Sequence, residues 1–271
     1  MTEVAGGPAP VPVVAPVPVV SGVSMTAGLP LAVDGSGPEA PTGAWRTATV
    51  REVLHPHPRA VLLRLEVPNR VDHLPGQHYV VRLSAPDGYT AQRSYSLSSP
   101  PEDPLVELYV ERIEDGEVSS YLADGVVVGD RLDVRGPIGG WFVWRGTTPA
   151  LGVGGGTGVV PLVAMLRHAQ AVGATDLLSL VAAARTWDDL PYATELREAG
   201  AVLALSREAG PGGRARGRLT PEDVAPLLGR QGPGWTAFVC GSAGFAEAST
   251  SLLTGLGVAS GDVRVERFGP S

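Results

Sequence analysis

Short apolar runs with partial alternation of polar residues occupy the chain between residues 46 and 135. Val, Leu, Tyr and Arg dominate the runs, and Pro, Gly, Asn and Asp separate them. Alternation with a period of two is typical of strands that bury one face. The pattern predicts six strands, at 46–54, 60–67, 78–84, 89–98, 105–113 and 130–135, and a helix at 117–125. Six short strands at this spacing favour a small antiparallel barrel or sandwich.

After Pro149 the apolar period lengthens, and strand-like and helix-like segments alternate. The pattern predicts strands at 150–153, 177–183, 201–206, 236–240 and 263–268, and helices at 160–172, 190–199, 221–229 and 244–256. Gly173, Gly200 and Gly257 follow three of these helices, as C-caps do. Five strands alternating with four helices predict a doubly wound parallel sheet.

The first 43 residues are rich in Pro, Ala, Val and Gly. Frequent proline interrupts both helices and strand ladders, so a disordered or polyproline-like tail is expected, acting as a spacer or as a docking segment. The predicted organisation is a tail at 1–43, a β-domain at 44–146 and an α/β domain at 147–271.

A glycine-rich turn at 154–158 follows the first strand of the α/β region and precedes its first helix. Backbone N–H groups at such a helix start bind phosphate, although a tight turn without a ligand would have the same pattern. Other polar segments end the neighbouring strands, and parallel strands end at one edge of their sheet. One shared ligand site is therefore expected from these residues: Arg185, Ser206, Arg207, Cys240, Gly241 and Ser242.

A second candidate segment, at 93–99, combines a cation, an aromatic ring and several hydroxyls. Alternation places Arg93, Tyr95 and Leu97 on one face of the strand and the serines on the other. This set would suit a ligand with a phosphate, a polyol and a flat ring system. An ordinary strand with a core tyrosine remains the alternative.

Charge and composition remove several classes of function. The formal net charge of −7 provides no basic field for nucleic acid, and one cysteine excludes disulfide scaffolds, zinc ribbons and cysteine-ligated clusters within this sequence. His55 and His57 lie in a His-Pro-His-Pro stretch that is typical of a turn, so no metal site is expected. No apolar run is long enough to span a membrane and no basic signal-peptide start is present, so a cytoplasmic location is expected.

The chain resembles the ferredoxin–NADP reductase family of flavoprotein reductases from about Arg46 to Phe268, and seven motifs in family order carry the resemblance. They are Leu74-Pro-Gly-Gln77, Arg93-x-Tyr95-Ser96-Leu97-Ser98, Glu117-Val-Ser-Ser-Tyr-Leu122, Gly136-Pro-Ile-Gly139, Gly155-Gly-Thr-Gly158-x-x-Pro161, Cys240-Gly241-Ser242 and Glu266-x-Phe268. The resemblance implies that the barrel binds flavin and that the parallel sheet binds a nicotinamide nucleotide.

For the flavin, the resemblance implies that Arg93 pairs with phosphate, that Tyr95 packs on the isoalloxazine and that Ser96 lies near its N5 atom. The segment 118–120 matches backbone amides that bind pyrophosphate, which implies FAD rather than FMN. The FAD-binding positions implied are Arg93, Tyr95, Ser96, Leu97, Val110, Val118, Ser119 and Ser120.

For the nicotinamide nucleotide, the resemblance implies that the glycine-rich turn holds the pyrophosphate and that Cys240 lies beside the nicotinamide ring. A lone cysteine at a strand end is otherwise a small buried hydrophobe. Ser206 and Arg207 match residues that bind a 2′-phosphate, which favours NADP, with NAD left possible. The implied nucleotide-binding positions are Gly156, Thr157, Gly158, Arg185, Ser206, Arg207, Cys240 and Gly241.

The C-terminal strand departs from the plant-type pattern, because Phe268 stands where those proteins have a tyrosine that stacks on the flavin. Glu266 matches a carboxylate that assists proton or hydride transfer, although a solvated glutamate on an edge strand is the alternative. The catalytic residues implied by the resemblance are Ser96, Cys240 and Glu266.

The expected function is that of an FAD-dependent oxidoreductase that takes hydride from NADPH or NADH and releases single electrons. Many relatives carry a fused ferredoxin domain, and this sequence shows none. The expected acceptor is therefore a separate iron–sulfur protein, such as a ferredoxin serving an oxygenase. Direct reduction of a ferric chelate, quinone or flavin, or a role as an electron-transfer subunit of a larger complex, are the alternatives.

Overall fold

The computed structural model describes residues 43–230 and 232–268, so the predicted tail lies almost entirely outside the described residues. The first part of the fold is one antiparallel sheet of six strands in the order β4-β3-β6-β1-β2-β5. Its strands are β1 (Trp45–His57), β2 (Ala60–Glu66), β3 (His78–Ser84), β4 (Thr90–Ser96), β5 (Val106–Glu111) and β6 (Arg131–Ile138). Helix α1 (Glu117–Asp124) connects β5 to β6.

The two outer strands of this sheet meet, which closes it into a barrel. Leu97, directly after β4, forms a bridge with Leu108 of β5. The Ser98 backbone N–H also donates to the carbonyl of Glu107 at 3.0 Å. Inside the barrel, fully enclosed Val and Leu side chains form one core, which confirms the predicted six-stranded barrel.

The second part of the fold is a five-stranded parallel sheet in the order β11-β10-β7-β8-β9. Its strands are β7 (Ala150–Gly155), β8 (Leu178–Ala184), β9 (Val202–Leu205), β10 (Thr236–Ser242) and β11 (Val263–Phe268). The helices are α2 (Val160–Val172), α3 (Ala193–Glu198), α4 (Pro221–Val224) and α5 (Ala243–Gly255). Separate apolar cores form around α2 and α5, so the predicted doubly wound sheet is confirmed.

The largest differences from the predicted elements lie at three places, while most other boundaries differ by one to three residues. The expected turn at His55 and His57 is wrong, because β1 runs through both residues and His57 pairs with Ala60 across the hairpin. Helix α3 begins later than residue 190, since Tyr192 has a left-handed backbone with φ +56°. Helix α4 has only four residues and continues as a 3₁₀ turn, consistent with the missing N–H of Pro226.

The glycines predicted to end three helices are in the left-handed region of φ, at Gly173, Gly200 and Gly257. Gly173 ends α2 in the left-handed conformation with φ 70°, which glycine adopts without a steric penalty. At the start of α4, the Thr220 N–H donates to Asp223 Oδ2 at 2.9 Å. Among the helices that the structure describes, none is long and apolar enough to cross a membrane.

Candidate functional site

The glycine-rich turn joins β7 to α2 as a 3₁₀ segment, Gly156–Val159, without a side-chain cap at its start. Gly156 has φ +55°, and a Cβ placed on it would meet nothing within 4 Å. A Cβ on Gly158 would instead lie 2.1 Å from the carbonyl oxygen of Cys240. The turn therefore packs tightly on β10 and is open at Gly156, where uncapped N–H groups have room for a phosphate.

This packing gives a first prediction. Replacing Gly158 by alanine forces its methyl group against β10, and overpacking of this kind costs about 1–3 kcal/mol of unfolding free energy. The control is Gly244→Ala in α5, where a Cβ meets nothing within 4 Å and alanine favours the helix. Urea denaturation of both variants measures the difference. Equal stability of Gly158→Ala and the wild type would contradict this account of the turn.

Cys240 and Glu266 lie side by side at the carboxyl edge of the sheet, where β10 pairs with β11. Cys240 is fully buried, and burial together with the charge of Glu266 raises its thiol pKa well above the ordinary value. The thiol is therefore protonated at neutral pH, as expected of a small buried hydrophobic side chain. A nucleophilic thiolate does not fit this environment.

Glu266 is not a solvated glutamate, although β11 is an edge strand of the sheet. Its Oε2 atom is buried without a hydrogen-bond partner, and burial raises the pKa of the carboxyl to about 7. A carboxyl that changes charge near neutral pH, near the carboxyl edge of a parallel sheet, is a candidate functional group. Glu266 is therefore half-buried on its edge strand, and its part in proton or hydride transfer stays a prediction.

The candidate 2′-phosphate residues follow β8 and β9. The Ser206 N–H donates to the carbonyl of Ala184 at 3.0 Å, and the Arg207 N–H donates to the carbonyl of Arg185 at 2.8 Å. These bonds bring Arg185, Ser206 and Arg207 together, with all three exposed. Arg214, in the nearby loop, is instead bound by Asp223 at 2.6 and 2.7 Å. Arg214 thus stabilises the loop around α4.

On the barrel side, Arg93 is exposed and donates to the Gln92 carbonyl at 2.8 Å; within the described ranges it has no acidic partner. Strand β4 packs against α1, and the Tyr89 hydroxyl donates to Glu117 Oε2 at 2.9 Å. Gly116 precedes α1 and provides no side-chain cap. An unpaired guanidinium on β4 and the uncapped start of α1, a helix that contacts β4, therefore both attract anions.

The remaining barrel residues differ in exposure. Tyr95 is half-buried against the barrel core and Ser96 is 6% exposed. Ser119 Oγ accepts from the Ile113 N–H at 3.1 Å, and Ser120 Oγ donates to the Ile113 carbonyl at 3.3 Å. Their hydroxyls thus hold α1 in place and leave its backbone amides for a ligand. Three side chains are enclosed in the barrel core and could meet a ligand only through their backbone: Leu97, Val110 and Val118.

Phe268 ends β11, pairs in register with Ser242 and packs partly buried against the core around α2. Thr157 is half-buried within the turn, and Gly241 is buried beside Phe245. Across the described part of the chain, no three His, Cys, Asp or Glu side chains form a group that could hold a metal ion.

Sequence reasoning missed a charged cluster between the two sheets. Glu107 of β5, Arg167 of α2 and Tyr192 before α3 form it, and Glu107 is only 7% exposed. The available signal was Arg167 itself, a long cation that follows a run of buried apolar residues in α2.

Two family models match the chain. One, described as an oxidoreductase FAD-binding domain, covers residues 49–143, and the other, an oxidoreductase NAD-binding domain, covers residues 153–251. Each matched range contains one of the two sheets for most of its length. The FAD-binding range includes Arg93 and the start of α1, and the NAD-binding range includes the glycine-rich turn.

The chain is similar to reductase components of oxygenase systems. A ferredoxin–NAD(P)⁺ reductase component of naphthalene 1,2-dioxygenase and salicylate 5-hydroxylase systems from Ralstonia sp. is 30% identical over 77% of this chain and 64% of that protein. The reductase component of propane 2-monooxygenase from Rhodococcus jostii is 29% identical over 72% of this chain and 55% of that protein. The chain thus spans less than two thirds of these relatives.

Solved structures have the same architecture. A cytochrome P450 reductase from Amycolatopsis matches with a TM-score of 0.70 at 27% identity, over 84% of this chain and 71% of that one. A ferredoxin–NADP⁺ reductase from Neisseria gonorrhoeae, solved with FAD and NADP, matches with a TM-score of 0.70 over 82% of this chain and 98% of that one. At 18% identity, this second likeness concerns the fold alone.

Proposed function

Because the chain belongs to the ferredoxin–NADP reductase-like family of flavoprotein oxidoreductases, we propose that it oxidises NADPH with a bound FAD and delivers electrons singly to a separate protein. FAD, when bound, accepts a hydride and releases its two electrons in separate steps. The observation that carries the proposal is the pair of anion-binding features, one on each sheet: Arg93 with the start of α1, and the open turn at Gly156. A flavin dinucleotide and a nicotinamide dinucleotide need one such feature each.

In this proposal the chain binds and orients the two ligands. Arg93 and the first amides of α1 hold the phosphates of FAD, while the turn at Gly156 holds the pyrophosphate of NADPH. Cys240 provides an apolar, uncharged wall for the nicotinamide ring. Ser96 lies at the flavin, and Phe268 covers the flavin face with a ring that cannot hydrogen-bond.

The proposed acceptor is a ferredoxin-like iron–sulfur protein. The names of the related reductase components support it, since they refer to ferredoxin and to dioxygenase and monooxygenase systems. The sequence has one cysteine, so the cluster of such an acceptor would lie outside these 271 residues. The domain boundary at residue 146 and the cytoplasmic location stay predictions.

The test of this function begins with the purified protein. We expect a yellow protein with one FAD per chain that is bleached by NADPH in the absence of oxygen. Reduced protein should then reduce an added oxygenase ferredoxin faster than ferric citrate or a quinone. A colourless preparation that takes up no FAD would refute the flavoenzyme; faster reduction of the small acceptors would favour a reductase of small molecules.

Arg207 gives a prediction about the choice of nucleotide. Replacing it by alanine removes a charged partner of the 2′-phosphate, and such bonds contribute about 1.5–3 kcal/mol, so KM for NADPH should rise about 10- to 100-fold. NADH has no 2′-phosphate and serves as the internal control, with a KM changed less than about twofold. Steady-state assays with both nucleotides make the comparison, and equal changes would contradict the assignment of Arg207.

A further inference from the structure

The charged cluster between the sheets centres on Arg167 of α2. Its Nη1 lies 2.6 Å from Glu107 Oε1 on the barrel, and its Nε and Nη2 lie 2.7 and 2.9 Å from the two carboxylate oxygens of Glu195 on α3. One guanidinium therefore holds carboxylates from both parts of the fold. Burial disfavours its charge, but Glu195 and Glu107 outweigh this effect and raise the pKa of Arg167.

The cluster contacts the barrel at Ser98, which lies two residues after Ser96 at the end of β4. Arg167 Nη1 donates to the Ser98 carbonyl at 3.1 Å, and the Tyr192 hydroxyl lies 2.8 Å from Ser98 Oγ. Ser98 Oγ also donates to Glu107 Oε1 at 2.9 Å. The backbone that follows Ser96 is thus held by its barrel contacts with Glu107 and, in addition, by side chains that the parallel-sheet part supplies.

Helix α2 connects this contact to the glycine-rich turn. The helix begins at Val160, directly after the turn, and Arg167 lies seven residues later, about 10 Å along the axis. A helix of this length is rigid, so the turn cannot shift without moving Arg167. Burial and the charge of Glu107 also raise the pKa of Tyr192, which keeps its hydroxyl protonated over the working pH range.

We infer that Arg167 and Tyr192 are positioning residues that set the distance between the Ser96 end of β4 and the turn at 156–158. This inference rests on the proposed function, in which those two elements carry the flavin and the nicotinamide nucleotide. Stability alone does not explain the cluster, since a buried ion pair is often no more stabilising than an apolar pair of the same volume. Fixing one relative geometry does explain it, because hydride transfer depends steeply on the separation of the reacting atoms.

The test uses the full chain with FAD and two conservative variants, Tyr192→Phe and Arg167→Lys. Tyr192→Phe removes one hydroxyl and leaves the bond between Ser98 and Glu107, so it keeps the test decisive if Arg167→Lys fails to fold. The matched control is Tyr109→Phe, because the Tyr109 ring packs on Tyr192 with centroids 5.6 Å apart while its hydroxyl lies outside the cluster.

Two measurements are made. Anaerobic stopped-flow mixing with NADPH should show a limiting rate of flavin reduction at least about 10-fold lower in Tyr192→Phe and Arg167→Lys, because a misplacement of about 1 Å costs up to about 100-fold. The Kd for NADPH should stay within about twofold of the wild type, and the flavin midpoint potential within about 10 mV.

Amide hydrogen exchange of the peptide 93–99, measured without NADPH, should become faster in both variants and not in Tyr109→Phe.

Unchanged limiting rates, or slower reduction accounted for by a weaker Kd or a shifted potential, would overturn the inference while leaving the proposed function in place. Unchanged exchange of the peptide 93–99 would also overturn it. A wild-type protein that binds no FAD, or whose FAD is not reduced by NADPH, would overturn the proposed function itself.

Discussion

Replacing Glu266 by glutamine should slow the reduction of the bound flavin by NADPH about 100-fold or more, the usual effect of removing a group that stabilises transition-state charge. NADPH leaves a positive charge on the nicotinamide ring when it gives up its hydride. The Glu266 carboxylate, beside Cys240 at the proposed ring pocket, is placed to stabilise that charge. Burial strengthens this interaction, because the surroundings screen it less than water does.

If the Glu266 carboxylate stabilises this charge, its pKa sets the pH dependence of the limiting rate of flavin reduction. Burial raises the pKa of Glu266 to about 7, so the carboxyl is neutral at pH 6 and charged at pH 8. The limiting rate in the wild type should therefore rise through about pH 7, and in Glu266→Gln it should be low and flat over this range. Stopped-flow reduction at several pH values measures both. The control is Glu247→Gln, an exposed glutamate of α5.

As pH rises, the free energy of unfolding should fall, whereas the limiting rate of flavin reduction should rise. The folded pKa of about 7 lies above the ordinary value of 4.5, so ionisation of Glu266 destabilises the folded state as pH rises between these values. Above about pH 7 the full penalty applies, on the order of 3 kcal/mol. Glu266→Gln should thus be more stable than the wild type at pH 8 and nearly equal to it at pH 4 in urea denaturation. A variant that loses activity without gaining stability at pH 8 would contradict a buried carboxylate.

The sequence pattern was sufficient for both sheets, because each has a clear hydrophobic period and glycine or proline at its turns. It failed where the backbone of one residue decides a boundary, as at Tyr192, whose left-handed conformation delays α3. Periodicity also placed Cys240, the glycine-rich turn and Arg207 at one edge of the sheet. It could not show that Glu266 Oε2 is buried without a hydrogen-bond partner, because that depends on how the folded chain packs around β11.

The cluster around Arg167 shows a different limit of the sequence. Two of its bonded residues, Ser98 and Tyr192, are 94 residues apart in the chain, and no local spacing connects them. Likewise, Arg214 and Arg207 look alike in sequence, and only the position of Asp223 shows that Arg214 is engaged in an ion pair. Motifs therefore predicted the candidate ligand-binding elements, while the polar contacts between the two sheets could be seen only in the three-dimensional structure.

Replacing Arg93 by alanine should weaken FAD binding at least about 100-fold, because a bidentate guanidinium–phosphate contact comprises two charge-assisted hydrogen bonds of about 1.5–3 kcal/mol each. In the structure Arg93 has no acidic partner among the residues described, so its removal leaves no buried charge unpaired. The fold should therefore keep its stability without FAD, and the loss should be confined to flavin affinity.

Fluorescence titration of the apoprotein with FAD measures the affinity, and thermal unfolding without FAD measures the fold. Arg131→Ala is the matched control, since Arg131 is an exposed arginine at the start of β6 in the same barrel. Riboflavin, which has no phosphate, separates phosphate binding from ring binding: Arg93→Ala should leave its weak affinity unchanged. An equal loss of FAD and riboflavin affinity would mean that Arg93 contacts the flavin ring or stabilises the barrel and does not bind phosphate. Phosphate binding in the flavin site would then be left to the start of α1.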